Sequence, residues 1–248
     1  MKILGVIPAR YASTRFPGKP LFVIHGKTMI RRVYEQTMKC EDLDHVIVAT
    51  DDDSIKMHMD SFGGHVIMTS DKHRSGTERC LEVVNKLTQI GKKYDVVINI
   101  QGDEPYIDPL QIKQVISCFT QPGTEVATLI KKIISTDELS DPNVVKVAID
   151  VQGKALYFSR STIPFTRGKD TSDWIHSTIY YKHIGIYGYQ SDVLKQLVAL
   201  PCSPLESAES LEQLRWLENG FHIQTQITEI ESVSIDVPMD LLKITNRS

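Results

Sequence analysis

At 248 residues, with 41% hydrophobic and 24% charged side chains, the chain has a soluble composition, which excludes a disordered protein and allows one α/β domain with an elaboration, or two small domains. A formal net charge of −3 excludes the broad basic face of a nucleic-acid binder, so any anion site must be local. Four cysteines, Cys40, Cys80, Cys118 and Cys202, lie far apart with no C-x-x-C pair, which excludes the usual zinc spacings and a disulfide framework and predicts four buried thiols in a reducing compartment.

The first apolar run, KILGVI (2–7), reads as a buried strand that stops at Pro8. It is too short for a signal peptide or a membrane span, and no later segment reaches spanning length, so a cytoplasmic protein without membrane contact is expected. The loop that completes GVIPARYASTRFPGKPL (5–21) carries Arg10, Arg15 and Lys19 but only one glycine, Gly18. Neither G-x-G-x-x-G nor G-x-x-x-x-G-K-[ST] is present, because Gly18-Lys19 is followed by Pro20; a dehydrogenase and a P-loop NTPase both lose ground. Three cations after a strand, with backbone N–H groups around Ala12 to Thr14, suit a triphosphate; the bland alternative is a solvated basic loop.

Helical and strand patterns then alternate: helix 28–40, strand 45–50, helix 52–62, strand 65–69, helix 77–91 and strand 94–100. This predicts an α/β fold with a mainly parallel central sheet and helices on both faces, its ligands beyond the carboxyl ends of the strands. Three strand-end loops therefore matter. In ATDDDSI (49–55), Asp51 and Asp53 imitate the D-x-D metal motif of sugar transferases, but acids just before a helix satisfy its orphan N–H groups and are read as structural. In SDKHRSGTER (70–79), the Ser75-Gly76 turn can present backbone groups to a base edge while Arg74 and Arg79 add charge, although a plain loop fits equally well. In INIQGDEPYI (98–107), Asp103 is well placed for Mg²⁺, and Gly102 would let the backbone approach a ligand. A capping role before the helix starting at Asp108-Pro109 is the weaker reading of that acid.

The alternation loosens between about 135 and 185, read as a lobe inserted in a single domain of residues 1–248. VVKVAIDVQGKALYF (144–158) predicts a hairpin turning at Gln152-Gly153, and HIGIYGY (183–189) a further strand. Helices over 191–200 and 206–220, a strand over 222–227 and a last helix over 238–246, with Pro238 in its first turn, complete the chain. Asp236, in SVSIDVPMDL, is either an N-cap or a second carboxylate for a magnesium site.

In this order, IPARYASTRFPGKPL, HRSGTER, NIQGDEP, SRSTIP, KHIGIYGY, ESLEQLR and IDVPMDL closely resemble the 3-deoxy-manno-octulosonate cytidylyltransferases, or CMP-Kdo synthetases, over nearly the whole chain. The resemblance implies a nucleotide-diphospho-sugar transferase fold and a homodimer built through the smaller β-containing lobe. CTP and Kdo would be the substrates, and CMP-Kdo for lipopolysaccharide assembly the product. Residue by residue, it implies Arg10, Arg15, Lys19 and Asp103 as catalytic, and Mg²⁺ on Asp103 and Asp236. Ala9, Arg10, Ser13, Lys19, Arg74, Ser75, Gly76 and Arg79 would bind the nucleotide. Gln101, Arg160, Arg167, His183, Tyr187, Glu209 and Gln213 would bind the sugar, with Glu209 and Gln213 sharing one face of a single helix. Gln190 stands where an Arg often follows GIYGY, and IDVPMDL replaces the more usual VDTPEDL. Activation of 8-amino-Kdo or a sialic acid, or a nucleotide-binding module without turnover, are the alternatives.

Overall fold

The computed structural model describes residues 1–12, 16–231, 233–237 and 239–240; Ser13, Arg15 and most of the predicted last helix lie outside them. Two compact units are present. The first comprises Met1–Lys113, Gly188–Val198 and Glu231–Ser248, the second Gln114–Tyr187 and Ala199–Ile230.

The first unit opens with β1 (Ile3–Ala9), a two-stranded ribbon of β2 (Val23–Ile24) and β3 (Lys27–Thr28), and α1 (Met29–Thr37). It continues through β4 (His45–Thr50), α2 (Asp53–Ser61), β5 (Val66–Met68), α3 (Gly76–Gln89) and β6 (Val96–Asn99). The four long strands pair in the order β6-β1-β4-β5, all parallel, as the alternating pattern requires. Leu4, Val6, Ile7, Val48, Val97 and Ile98 are wholly buried, the composition of strands covered on both faces. Each following helix starts on a side-chain cap: Thr28 accepts from the Arg31 N–H, Asp52 from Ser54 and Ile55, and Ser75 from Glu78. Asp52 is thus the capping acid of the DDD run.

The first strand does not stop at Pro8. It continues to Ala9, with Pro8 opposite Ala49 and Ala9 opposite Thr50. The ladder to β6 ends at Val6–Asn99, so the nitrogen of Pro8 faces a side where no bond is lost.

Helix α4 (Pro109–Cys118) leads into the second unit, which contains β7 (Val126–Lys132), α5 (Thr136–Ser140), β8 (Lys146–Ile149), β9 (Ala155–Ser159) and α6 (Trp174–Ser177). Strand β10 (Tyr181–Gln190) begins there, and its last residues and all of α7 (Ser191–Ala199) but Ala199 belong to the first unit. The chain returns with α8 (Pro204–Glu209), α9 (Glu212–Glu218) and β11 (Ile223–Ile227). The order is β11-β7-β10-β8-β9, with β11 parallel to β7 and the β8–β9 hairpin antiparallel, turning at Gly153 with φ +77°. Beyond it, Ile133, Leu139, Trp174 and Tyr180 form a small core of their own.

Three expectations are corrected. The 206–220 helix is two helices: Ser210 adopts the left-handed conformation (φ 53°) and Leu211 is extended, ending α8 before α9 begins. Strand β7, absent from the reading of the sequence, carries five successive buried residues, Val126 to Ile130. Cysteines 40, 80 and 118 are buried free thiols, but Cys202, in the loop entering α8, is exposed. Among the described residues no helix is long and apolar enough to cross a membrane.

Candidate active site

In the first unit the loop after β1 folds back on itself. The Gly18 N–H donates to the Tyr11 carbonyl at 3.0 Å, and a 3₁₀ turn over Lys19–Leu21 follows. Phe16 anchors this loop by packing with Ile24, Met29 and Ile235, beside Tyr106 and Val233. The same cluster fixes the 233–236 segment, and the Ile235 N–H donates to the Asp103 carbonyl at 3.0 Å. Three chain segments therefore meet at one point. The Lys19 ammonium lies 2.7 Å from Asp103 Oδ2 and 3.6 Å from Asp236 Oδ1, and its side chain is only 14% exposed.

The helix that Asp236 was expected to cap lies mostly outside the described residues. In the described turn the Asp240 carboxylate accepts from the N–H groups of Asp236 (2.8 Å) and Val237 (3.0 Å). Gly102 was expected to admit a ligand, yet the neighbour that needs the missing side chain is the chain itself: a Cβ there would stand 2.5 Å from the Pro8 carbonyl oxygen. This contact sets the Asp103 loop against the end of β1.

Arg10 leaves the end of β1 and donates through Nη2 to the His73 carbonyl. Burial, and next the charge of Arg79, pull its pKa below the ordinary guanidinium value. Among the described residues it forms no ion pair with a carboxylate, so its charge is held in place by a neutral group. Ala9 is a buried strand residue whose side chain offers no polar atom.

In the 70–79 segment, Ser75 caps α3 and the Arg74 side chain is exposed. Gly76 packs against Asn99, whose amide nitrogen and the Pro8 ring would each lie 3.3 Å from an added Cβ. Arg79, expected at the cytidine side, is fully buried: Nη1 donates to Thr69 Oγ1 at 2.7 Å and Nη2 to Asp51 at 2.8 Å. Its guanidinium ties α3 to the ends of β4 and β5.

Gln101 follows β6 in the first unit, half-buried. The other sugar candidates lie in the second. Glu209 is engaged from below: its carboxylate accepts from Ser159 Oγ (2.7 Å) and the Arg160 N–H (2.9 Å), and its carbonyl accepts from Arg160 Nε (2.7 Å). Arg160 Nη1 also donates to the Pro142 carbonyl. His183 packs between Phe158, edge to face, and Tyr187, tilted, with ring centroids 5.4 and 5.1 Å away, and sits 3.1 Å from Thr128 Oγ1. Burial pushes its pKa down to about 4, which leaves a neutral imidazole at pH 7. Tyr187 in turn packs on Trp216 at 5.3 Å. Gln213 is buried on α9, and its amide nitrogen has no hydrogen-bond partner among the described residues. Arg167 is exposed. The break at Ser210 means that Glu209 and Gln213 do not share one helix face.

Sequence reasoning missed Ser159, Thr128, Trp216 and the supports of the 70–75 loop. The first three offer no spacing signal, because strand pairing and a helix break decide what they touch.

A family model described as cytidylyltransferase matches residues 4–230. The 3-deoxy-manno-octulosonate cytidylyltransferase of Parabacteroides distasonis is 54% identical over 98% of this chain and 96% of its own length. The 8-amino-3,8-dideoxy-manno-octulosonate cytidylyltransferase of Shewanella baltica strain OS185 is 47% identical over all of this chain and 98% of its own. A solved CMP:2-keto-3-deoxy-manno-octonic acid synthetase complexed with CTP superposes with a TM-score of 0.90 at 42% identity, covering 98% of this chain and 97% of that one. The alternation of strands and helices, the motif order and these likenesses agree: the chain belongs to the cytidylyltransferase family, among the 3-deoxy-manno-octulosonate cytidylyltransferases.

Proposed function

We propose that the protein transfers CMP from CTP to the anomeric hydroxyl of 3-deoxy-D-manno-octulosonate, giving CMP-Kdo and pyrophosphate. The observation that carries this reading is the meeting of Lys19, Asp103 and Asp236, in a chain 54% identical to an enzyme of that name. The sugar hydroxyl attacks the α-phosphorus in line; the new O–P bond forms as the bond to the bridging oxygen breaks. Pyrophosphate leaves with the electron pair, and the hydroxyl proton passes to solvent. Arg10, Arg15 and Lys19 hold the triphosphate and oppose the charge that grows on the leaving oxygens.

Asp103 and Asp236 suit Mg²⁺, because both carboxylates already converge on a single cation, the Lys19 ammonium. Among the described residues no group of three or more potential metal ligands occurs, so the ion would complete its shell with phosphate oxygens and water, as Mg²⁺ prefers. Bound there, it supplies charge neutralisation on the triphosphate and acidifies a hydroxyl beside it. For the nucleotide, the Ala9 backbone, Ser13 and the Arg74-Ser75-Gly76 turn are the proposed partners. For the acidic sugar they are Gln101, the cations Arg160 and Arg167, and the neutral groups His183, Tyr187 and Gln213; Glu209 acts by orienting Arg160.

A homodimer is supported by exposed apolar side chains in the second unit, Val151, Leu156, Phe165 and Ile179. Three buried free thiols fit a reducing cytoplasm, where the product would enter lipopolysaccharide assembly. The identity to the Shewanella enzyme favours a second reading, with the 8-amino sugar as acceptor.

A pyrophosphate-release assay with magnesium, crossing CTP and UTP with Kdo, 8-amino-Kdo and sialic acid, tests both. CTP with Kdo should give the highest kcat/KM. A preference for the 8-amino sugar moves the acceptor, and CTP binding without turnover on any sugar overturns the reading.

A further inference from the structure

The 70–74 loop whose His73 carbonyl holds Arg10 is gripped from beneath by two carboxylates one turn apart on α3. Glu82 accepts from the Ser70 N–H at 2.9 Å and pairs with His73 Nε2. Glu78 accepts from the Arg74 N–H at 2.6 Å and lies 3.5 Å from His73 Nδ1. Lys86, the next residue along that face, neutralises the other Glu82 oxygen at 2.8 Å. Burial alone would raise the Glu82 pKa; hydrogen bonds from Lys86, the Ser70 N–H and His73 outweigh it and hold the carboxyl at about 2. The loop is therefore fixed at both ends and at its centre by a charged, well-supported group.

Arg10 touches neither carboxylate. Among the described residues its guanidinium hydrogen-bonds only to the His73 carbonyl, with Asp51 and Glu78 acting on it through space, so whatever sets that carbonyl sets the direction in which the cation points. A carboxylate in direct contact would aim Arg10 equally well but would neutralise it. A carbonyl positions the guanidinium and leaves its charge for an anion.

We propose that Glu82 is a positioning residue for CMP transfer, acting through His73 to aim Arg10 at the triphosphate. This rests on the reading of Arg10 as a triphosphate ligand.

The test is a double-mutant cycle on the full chain with Arg10→Ala, Glu82→Ala and their combination, plus Glu82→Gln. The readouts are kcat and KM for CTP from pyrophosphate release, CTP affinity by calorimetry, and thermal melting of each variant. Displacing Arg10 by a fraction of an ångström should cost Glu82→Ala about tenfold in kcat/KM for CTP. Glu82→Gln should lose less, because an amide oxygen still accepts from Ser70. In the Arg10→Ala background, Glu82→Ala should cost less than about twofold, since its target is gone. Equal losses in both backgrounds, or an unchanged kcat/KM in Glu82→Ala, overturn the proposal while the role of Arg10 stands. If Arg10→Ala itself leaves CTP binding and turnover intact, the underlying reading fails and this one with it. Should Glu82→Ala not fold, Glu82→Gln carries the cycle.

Discussion

Lys19 donates to Asp103 across 2.7 Å, joining residues 84 positions apart in the chain. The ammonium also faces Asp236 at 3.6 Å, so it stands where a divalent ion would engage the same pair. Removing it takes away a positive charge that the two carboxylates share. Lys19→Met should therefore bind Mn²⁺ about tenfold more tightly in nucleotide-free protein, followed by electron paramagnetic resonance. It should also lose at least about a hundredfold in kcat/KM. Asp103→Asn should abolish both Mn²⁺ binding and turnover with a native melting curve. Near-normal pyrophosphate release from that variant would remove Asp103 from the proposed metal site.

Arg79 is spent inside the protein. Arg79→Met strands the Asp51 carboxylate, and urea unfolding should show a loss of about 2–4 kcal/mol. The ratio of CTP to UTP turnover should stay within about twofold at a temperature where the variant is folded. A collapse of that ratio with stability intact would return Arg79 to base recognition.

Gly102 tolerates no side chain, because the atom that would be struck is backbone. Gly102→Ala should cost about 1–3 kcal/mol by denaturant titration. Turnover should fall further than stability does, since relief of the clash moves the neighbouring Asp103.

The neutral His183 makes a pH signature. Its folded pKa, about 4, lies below the usual 6.5, so the unfolded chain binds the extra proton between those values. Stability supplied by the neutral ring is present above pH 6.5 and is lost as pH falls toward 4. His183→Asn should flatten that acid limb by about 2 kcal/mol between pH 7 and 4, read from melting curves across the range.

Much of the first unit is legible in the sequence. β-branched runs separated by amphipathic helices leave little choice but a parallel sheet, and the loops at its strand ends hold the residues with unusual chemistry. The hairpin at Gln152-Gly153 is equally local, since its turn needs a residue that accepts positive φ. The sugar candidates are harder to read. Glu209 and Gln213 have helical spacing, and only the left-handed Ser210 separates them.

The sequence by itself determined the alternation of long strands and helices in the first unit, the family and the chemical types at hand: a basic loop after the first strand, an acid after the fourth long one, a late acid at 236. Periodicity and motif order depend on neighbours in the chain, so one dimension suffices for them. Tertiary structure alone decided which charges meet. It placed Lys19 against Asp103 and Asp236 through the Phe16–Ile235 cluster, and it buried Arg79 on Asp51. It also left Arg10 on a neutral carbonyl. Those outcomes are set by burial and by contacts between distant segments, and neither can be counted along a sequence.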